Sequence, residues 1–290
     1  MTLEKIVGWL DQTLNVAAFD DVSNNGLQIE RRETQLRTAA FGCLASLGCA
    51  RLGRGVEPQL TNAAGEDAPR YVVAIAVDAS LKSVEAAAAA GAQLLVVHHG
   101  ISWGGGIKRL TGGVYNVVKA AMDANLAVYA CHLPLDAHQT LGNNAQLAKL
   151  LGLKQVKPAF PYHGNVIGFT GVLSDLAKLE KLVSRTAVRL ARGVSRTDGV
   201  DGLKSLALKT PCTIGICSGG AAEFAEDAKR LGCAVLVTGE ANWADVIAAE
   251  NCGAKMLCLG HYETEVYGVR AVAAAMKKQL KVKIVDLTSP

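Results

Sequence analysis

One pattern of strand, helix and strand occurs twice along this chain, and it constrains the fold more than any other feature of the sequence. Residues 74–99 align without a gap on residues 215–240, and residues 117–136 align in the same way on residues 246–265. Apolar runs of strand length joined through helical segments are typical of parallel βαβ units. The repeat therefore predicts an α/β fold of two similar lobes, with mostly parallel sheets around one shared site.

The length of the chain is compatible with one large domain or two lobes of ordinary size. We predict a single domain in which the first lobe covers roughly residues 1–150 and the second roughly 151–290. Residues 45–70 show no clean periodicity and are rich in Gly, Pro, Asn and Ala, which predicts a loop insertion at the surface.

Composition and charge exclude several classes of protein. The 290 residues are 50% hydrophobic but only 5% aromatic, and the net charge is +4. These values argue against nucleic-acid binding, because it needs a basic groove with stacking aromatic side chains. No apolar run reaches the roughly 18 to 20 residues that span a bilayer, and the first residues lack the pattern of a signal peptide. We expect a cytoplasmic protein with no membrane partner.

The eight cysteines provide a further indication of the compartment. They include no CxxC pair, and most lie in apolar runs. We therefore predict that they are reduced, buried thiols in a cytoplasmic protein.

The first of three motifs with metal-binding side chains is LLVVHH, an apolar run that ends in His98 and His99. Adjacent side chains of a strand point to opposite faces, so the two imidazoles suit two neighbouring ions better than one. The carboxyl ends of parallel strands are also where open α/β sheets bind ligands. The alternative is a pair of histidines that hydrogen-bond to backbone at the end of the strand.

The second motif is CHLPLDAH, which follows another apolar run. Pro134 argues against the interior of a helix, so His132, Asp136 and His138 are expected to project from a turn and could converge on one point. The alternative is that Asp136 caps the helix that follows.

The third motif is GHYETE, in which His261 and Glu265 lie four residues apart. On the first turn of a helix they share a face and can share a metal ion, and the carboxylate can bridge two ions. The alternative is that Glu265 interacts with the helix dipole, a role for which Glu263 is equally placed.

The three motifs together supply imidazoles and carboxylates but no thiolate. This mixture favours iron, zinc, manganese or cobalt over a structural zinc site made of cysteines. The repeat also aligns His132 with His261 and Asp136 with Glu265. We predict a site for two divalent ions per chain, built from six residues: His98, His99, His132, Asp136, His261 and Glu265.

Two glycine-rich segments flank these motifs. One follows His99 and carries Lys108 and Arg109, and the other, Ser218–Gly220, joins a strand to a helix. Backbone amides at such a helix start can bind a phosphate group, although neither segment matches a nucleotide-binding fingerprint. The alternative for the first segment is glycine needed only for close packing. The predicted substrate-binding residues are Lys108, Arg109, Ser218, Gly219 and Gly220.

The motifs HHG, HLPLDAHxxLGNNAQLA, TGE and GHYxTExxGxRA resemble those of the Nif-three-like family, often labelled GTP cyclohydrolase I type 2 homologues. The resemblance extends over almost the whole chain, and the sequence is most similar to the compact bacterial members of this family. It implies that His98 and Asp136 bind one ion, that His99 and His261 bind the other, and that Glu265 lies between them. It also implies a ring-shaped homohexamer.

The resemblance separates His132 from the ligands, because it implies that this residue lies beside the ions. His132 or His138 could then carry a proton. The implied function is a dinuclear-metal-dependent hydrolase that acts on a nucleotide-like or phosphorylated small molecule. The alternative is a non-enzymatic metal-binding regulatory or interaction protein that forms a ring-shaped oligomer.

Overall fold

Two five-stranded sheets flanked by helices form the protein. The computed structural model describes residues 1–32, 71–190, Leu203 and 206–289. The insertion predicted at 45–70 therefore lies outside the described residues.

The first half of the chain runs through a βαβαβ arrangement after an amphipathic first helix. Its elements are α1 (Leu3–Leu14), β1 (Gly26–Ile29), β2 (Val72–Asp78), α2 (Leu81–Ala89), β3 (Leu94–His99), α3 (Gly112–Asp123), β4 (Ala127–Ala130), α4 (Leu133–Ala137) and α5 (Asn143–Leu151).

The second half begins with an antiparallel hairpin and then repeats the βαβαβ arrangement. Its elements are β5 (Lys154–Tyr162), β6 (Asn165–Leu173), α6 (Leu176–Leu190), β7 (Cys212–Ile216), α7 (Ala225–Arg230), β8 (Leu236–Thr238), α8 (Trp243–Cys252), β9 (Met256–Cys258), α9 (His261–Leu280) and β10 (Lys283–Asp286).

The two sheets confirm the repeat that the sequence predicts. The first has the order β1-β4-β3-β2-β10 and the second the order β5-β6-β7-β8-β9. Neighbours β2, β3 and β4 are parallel, and so are their aligned counterparts β7, β8 and β9. The first sheet has one antiparallel pairing, β1 with β4, and the second has two, which come from β5 and β6. Equivalent strand ends of the two lobes therefore present the metal-binding motifs.

The end of the chain packs against the sheet of the first lobe. Strand β10 pairs in parallel with β2. Helix α9 buries Val269 and Met276 in the same core as Ile6 of α1 and Ile75 of β2. Full burial of such side chains stabilises the fold by roughly 1.5 to 3 kcal/mol each, which explains why α9 packs against the first sheet.

The motif after β4 forms a short helix, α4, where the sequence predicted a turn. Pro134 lies in the first turn of this helix, where a proline is tolerated because its missing N–H has no partner inside the helix. None of the helices in the described part of the chain is both long and apolar enough to cross a bilayer.

The six cysteines among the described residues are free thiols, and only Cys131 and Cys217 are buried. Burial raises the pKa of both thiols well above the ordinary value. Cys43 and Cys49 lie outside the described residues.

Candidate metal centre

Side chains from β3, from the segment after β4 and from the start of α9 meet at one point between the lobes. Oε1 of Glu265 lies 3.4 Å from Nε2 of His98 and 3.1 Å from Nε2 of His261. Oε2 of Glu265 lies 3.2 Å from Nε2 of His99. Oδ2 of Asp136 lies 3.4 Å from the same His98 nitrogen. Glu265 is therefore the centre of the cluster, with both of its oxygens facing imidazoles.

His132 joins this cluster through the neighbouring imidazoles. Its ring centroid lies 5.1 Å from that of His98 and 5.6 Å from that of His99. Nitrogens of these three residues all lie within 4.8 Å of one another, as do ligand atoms of His99, His261 and Glu265. Either group could hold a metal ion. Because Asp136 lies beside His98, the structure brings together all six residues of the predicted site.

Two buried atoms of the cluster have no hydrogen-bond partner, Nε2 of His98 and Oε2 of Glu265. Both lie near charged or polar atoms, but none of these contacts has the alignment of a hydrogen bond. A buried polar atom without a partner costs roughly 1 to 3 kcal/mol, more for a charged group. A divalent cation in contact with these atoms would remove that cost, and neutral imidazole with carboxylate is a donor set that suits iron, zinc or manganese.

The first two imidazoles of the cluster are each fixed by a hydrogen bond from the ring nitrogen that faces away from it. Nδ1 of His98 lies 2.9 Å from the carbonyl oxygen of Cys131, and Nδ1 of His99 lies 2.9 Å from Oδ1 of Asp78. Because both partners are acceptors, each Nδ1 carries the proton and donates it. In the neutral imidazole, each Nε2 then directs a lone pair into the cluster, as ligation requires.

The other two imidazoles are held in the same way. Nδ1 of His132 donates to Oδ1 of Asp21, and Nδ1 of His261 donates to Oε1 of Glu240, both over 2.9 Å. All four histidines therefore present Nε2 to the cluster.

Asp21 is the most heavily hydrogen-bonded of the orienting carboxylates. Besides His132, it accepts hydrogen bonds from the backbone of Ser23 and Leu133 and from the amide of Asn25. Burial alone would raise the pKa of Asp21, but the bonds from His132, Asn25 and Ser23 lower it to about 2. Asp21 is therefore ionised, and it fixes the orientation of His132.

Asp136 is held by hydrogen bonds to one of its oxygens only. Its Oδ1 accepts from Nδ2 of Asn143 at 2.8 Å and from Oγ of Ser218 at 3.1 Å, which leaves Oδ2 directed at His98. Helix α5 begins at Asn143 with Gly142 at the N-cap, so the alternative that Asp136 caps this helix is wrong.

The charges of the cluster shift the pKa values of its members strongly. Burial raises the pKa of Glu265, but His98, His261 and His99 together hold it well below the ordinary value. Burial lowers the pKa of His99, but the hydrogen bond to Asp78 and the nearby carboxylate of Glu265 raise it to about 10. Without a metal ion, the ionised Glu265 is therefore neutralised by protonated imidazoles.

The pKa values of His98 and His261 are shifted in the same direction. The hydrogen bond to Glu265 raises the pKa of His261 to about 9 despite partial burial. Burial lowers the pKa of His98, but Asp136 and Glu265 reverse this and raise it above the ordinary value. A cation that binds here competes with protons for the same nitrogens.

Gly219 approaches the cluster too closely for any other residue. Its φ is +68°, and a Cβ there would lie 2.5 Å from Oε1 of Glu265 and 3.3 Å from Nε2 of His261. Its backbone N–H donates to Oγ1 of Thr264, and the N–H of Ser218 donates to Oδ1 of Asn144. Two of the three amides predicted to bind a phosphate are thus already hydrogen-bonded within the protein.

The structure does not bring His138, Lys108 or Arg109 to the centre. Nε2 of His138 donates to the carbonyl oxygen of Thr13, and its Nδ1 accepts from the backbone of the following turn. Lys108 and Arg109 are exposed in the loop between β3 and α3, and no hydrogen bond or ion pair joins them to the described residues of the centre.

Sequence reasoning missed the orienting carboxylates Asp21, Asp78 and Glu240. Two of them had a signal in the sequence, because Asp78 ends strand β2 and Glu240 lies two residues after strand β8. Both are therefore at the edge of the sheets where the ligands lie.

Two clefts flank the centre, and both are lined in part by His132 and His261. The wider one, of about 530 Å³, also includes Asp78, His99 and Trp103. The smaller one, of about 210 Å³, reaches Asp136 and Glu265 and extends into the second lobe. A substrate in either cleft could place a polar group against the cluster.

The sequence matches known proteins over most of its length. A family model described as Duf34/NIF3 (NGG1p interacting factor 3) matches residues 64–289. A protein of Pyrococcus horikoshii named GTP cyclohydrolase 1 type 2 homolog is 33% identical over 290 residues, which cover 100% of this chain and 99% of the relative. A protein of Deinococcus radiodurans with the same name is 33% identical over 276 residues, or 95% and 89% of the two chains.

Solved structures have the same fold. A protein described as ybgI, of unknown function, superposes with a TM-score of 0.72 at 26% identity, and the match covers 99% of this chain and 98% of the other. A protein from Thermus thermophilus, TTHA1606, superposes with a TM-score of 0.68 at 24% identity over 100% and 99% of the two chains. The second likeness concerns the fold alone.

Proposed function

The chain belongs to the Duf34/NIF3 family, and from that premise we propose that it is a metal-dependent hydrolase that holds two divalent ions and acts on a nucleotide-like or phosphorylated small molecule. The observation that supports this most is the pair of buried, unpartnered atoms, Nε2 of His98 and Oε2 of Glu265, inside a cluster of imidazoles and carboxylates. The name of the relatives, GTP cyclohydrolase 1 type 2 homolog, favours a nucleotide, since opening a purine ring is a hydrolysis.

The proposed ligands divide into two sets around Glu265. His98 and Asp136 would hold one ion, and His99 and His261 the other. The two oxygens of Glu265 face different imidazoles, with Oε1 near His98 and His261 and Oε2 near His99. This arrangement supports a bridging role for the carboxylate.

When bound, two divalent ions would polarise a carbonyl or phosphoryl oxygen and lower the pKa of a water molecule. The proton transfers would fall to His132, whose Nε2 faces the centre and whose ring lines both clefts. The ionised Asp21 would stabilise the imidazolium that forms when His132 takes up a proton. The ring of His138 is engaged elsewhere, so we assign no proton transfer to it.

The wider cleft would receive the polar part of the substrate. Trp103 forms one wall, with its ring 5.2 Å from that of His132 and 5.9 Å from that of His99, and its Nε1 donates to the carbonyl oxygen of Gly100. Lys108 and Arg109 follow Trp103 in the same exposed loop, and we propose that they attract a phosphate group to this cleft.

Metal analysis of the wild type and of Glu265→Ala tests the centre. We expect about two ions per chain in the wild type and nearly none in Glu265→Ala. Glu263→Ala is the matched control, because it removes a carboxylate from the same helix two residues away. Unchanged metal content in Glu265→Ala would contradict the proposal.

A panel of nucleotides and phosphoesters, incubated with metal-loaded protein, tests the reaction. We expect hydrolysis of at least one member and loss of that turnover by at least about 100-fold in His132→Ala, the usual scale of general acid–base catalysis. Tight metal binding without hydrolysis of any member would favour the non-enzymatic alternative.

We also propose that the chain forms a ring-shaped homohexamer. Large apolar side chains on two helices support self-association, since Met122 of α3 is 66% exposed and Trp243 of α8 is 76% exposed. Light scattering after size-exclusion chromatography should give about six times the 30.3 kDa mass of the chain. A monomer at micromolar concentration would contradict this.

A further inference from the structure

The smaller cleft next to the metal centre has a lining that the proposed metal chemistry does not use. We call it the inner pocket, and its walls are formed by Leu133, Tyr162, Ile167, Cys217, Ala221 and Phe224. We propose that the inner pocket binds a neutral, planar heteroaromatic ring of the substrate, with one edge of the ring at the metal centre. This proposal rests on the proposed function, but it is tested by binding and not by turnover.

The walls of the inner pocket are apolar and come from three different parts of the fold. Leu133 begins α4, Ile167 lies on β6, and Ala221 and Phe224 follow β7. These four side chains belong to one buried core cluster together with Cys217. Because the walls are part of a core, the pocket is pre-formed, and it favours the apolar face of a ligand over water.

Aromatic side chains set the shape of this pocket. The rings of Tyr162 and Phe224 meet edge to face, with centroids 6.3 Å apart and planes at 85°, and Phe160 packs behind Phe224 at 5.5 Å. Ring pairs of this geometry offer faces and edges on which a further ring can pack. A volume of about 210 Å³ accommodates one ring system but not an entire nucleotide.

Among its described residues, the lining of the inner pocket provides no lysine or arginine side chain to bind an anionic group. Among the described residues that line it, Asp136, Glu223 and Glu265 carry negative charge and none is Lys or Arg. The amides of Ser218 and Gly219 are already hydrogen-bonded, so they offer no phosphate site. The carboxylate of Glu223 can instead accept hydrogen bonds from N–H groups on a ring edge.

The position of the inner pocket connects it to both the ions and the wider cleft. It shares Asp136 and Glu265 with the metal centre, and it shares His132 and His261 with the wider cleft. A ligand can therefore place its ring in the inner pocket, the reacting bond at the centre and its polar remainder in the wider cleft. This assigns the two halves of a nucleoside-like substrate to different lobes.

Calorimetric titration of zinc-loaded protein with inosine and with ribose 5-phosphate separates the two halves. We expect both to bind the wild type. Ala221→Leu adds three carbons to the pocket wall and should weaken inosine roughly tenfold, the scale of losing one ring contact, while ribose 5-phosphate changes less than about twofold. The matched control is Ala244→Leu, the same change on the exposed side of α8, which should leave both affinities as in the wild type.

Tyr162→Leu provides a second variant that removes a ring at the partly exposed rim without filling the pocket, and it should weaken inosine roughly fivefold. The proposal is overturned if inosine does not bind the wild type, if it binds both variants as tightly as the wild type, or if ribose 5-phosphate weakens equally. Metal content is measured on each sample. Loss of ions from the wild type would contradict the proposed function itself, whereas two retained ions without inosine binding would overturn only the inner pocket.

Discussion

The two lobes have the same strand arrangement but contribute differently to the metal centre. In both, a histidine after the third parallel strand is followed four residues later by a buried carboxylate, His132 with Asp136 in the first lobe and His261 with Glu265 in the second. The first pair lies around a five-residue helix, and the second opens a helix of 20 residues. The repeat thus preserves the position of the ligands relative to the sheet and not the element that carries them.

A second difference lies at the end of the middle strand of each lobe. His98 and His99 end this strand in the first lobe, whereas the aligned residues of the second lobe are Gly239 and Glu240. A Cβ at Gly239 would lie 2.6 Å from a backbone oxygen and 2.8 Å from Cα of His261, so no histidine fits there. The second lobe consequently uses this strand end to orient a ligand, since Glu240 holds His261.

Both lobes share a rule for these orienting carboxylates. Asp78 ends β2 and holds His99 of the neighbouring β3, while Glu240 follows β8 and holds His261, which follows the neighbouring β9. Carboxyl ends of adjacent parallel strands lie side by side, so a carboxylate on one reaches an imidazole on the next. We therefore expect that corresponding substitutions in the two lobes have effects of different size on metal binding.

The largest difference is expected between the two buried carboxylates. Glu265→Gln should lower the metal content from about two ions per chain to nearly none, because Glu265 contacts three imidazoles. Asp136→Asn should lower it only to about one, because Asp136 contacts His98 alone among the described imidazoles. Inductively coupled plasma mass spectrometry measures both, and equal loss in the two variants would contradict the proposed bridging role of Glu265.

The next largest effect is expected at Gly219, which the repeat aligns with Asp78 of the first lobe. Gly219→Ala should destabilise the protein by about 1 to 3 kcal/mol, because an alanine is strained at a φ of +68° and its Cβ would press on Glu265. It should also weaken metal binding. Thermal unfolding with and without zinc measures both effects. Gly220→Ala is the control, because a Cβ there meets only ordinary contacts of 3.7 Å or more.

The comparison also shows what the sequence can and cannot reveal. Apolar runs and strand-end motifs predicted both βαβαβ units and all six clustered side chains, because these patterns are local. The hydrogen bond that His132 donates to Asp21 joins residues 111 positions apart and depends on β1 pairing with β4, which no periodicity encodes. The same holds for the approach of Gly219 to Glu265.

A smaller effect is expected from the orienting carboxylates. Asp78→Ala and Glu240→Ala should each weaken zinc binding by roughly 10-fold to 100-fold, the usual result of removing a partner that orients a ligating histidine. The effect should be larger for Asp78, because the side chain of His99 is 19% exposed and that of His261 is 34% exposed, so water replaces the lost acceptor less well. A competition titration with a zinc indicator gives both affinities. A larger loss in Glu240→Ala would contradict this order.

The smallest effect is expected in the pH dependence of the metal-free protein. The pKa of His99 is raised to about 10 and that of His261 to about 9, from an ordinary value of 6.5. A histidine whose pKa is raised by folding stabilises the folded state, and this contribution is complete at pH values below the pKa of the unfolded chain. It is lost as the pH rises through the pKa of the folded protein. The temperature midpoint of unfolding of the metal-free protein should therefore decrease as the pH is raised from about 7 to about 10.

Metal-loaded protein should show a smaller fall, because its ligating imidazoles are already neutral. The stabilisation by zinc, measured as the difference between the two midpoints, should thus grow with pH. Glu240→Ala removes one of the groups that raise the pKa of His261 and leaves the Asp78 bond to His99 intact. In that variant, the loss of stability that accompanies deprotonation of His261 should shift to lower pH. The loss that accompanies deprotonation of His99 should stay near pH 10. A single transition that is unchanged by Glu240→Ala would show that the two lobes do not titrate separately.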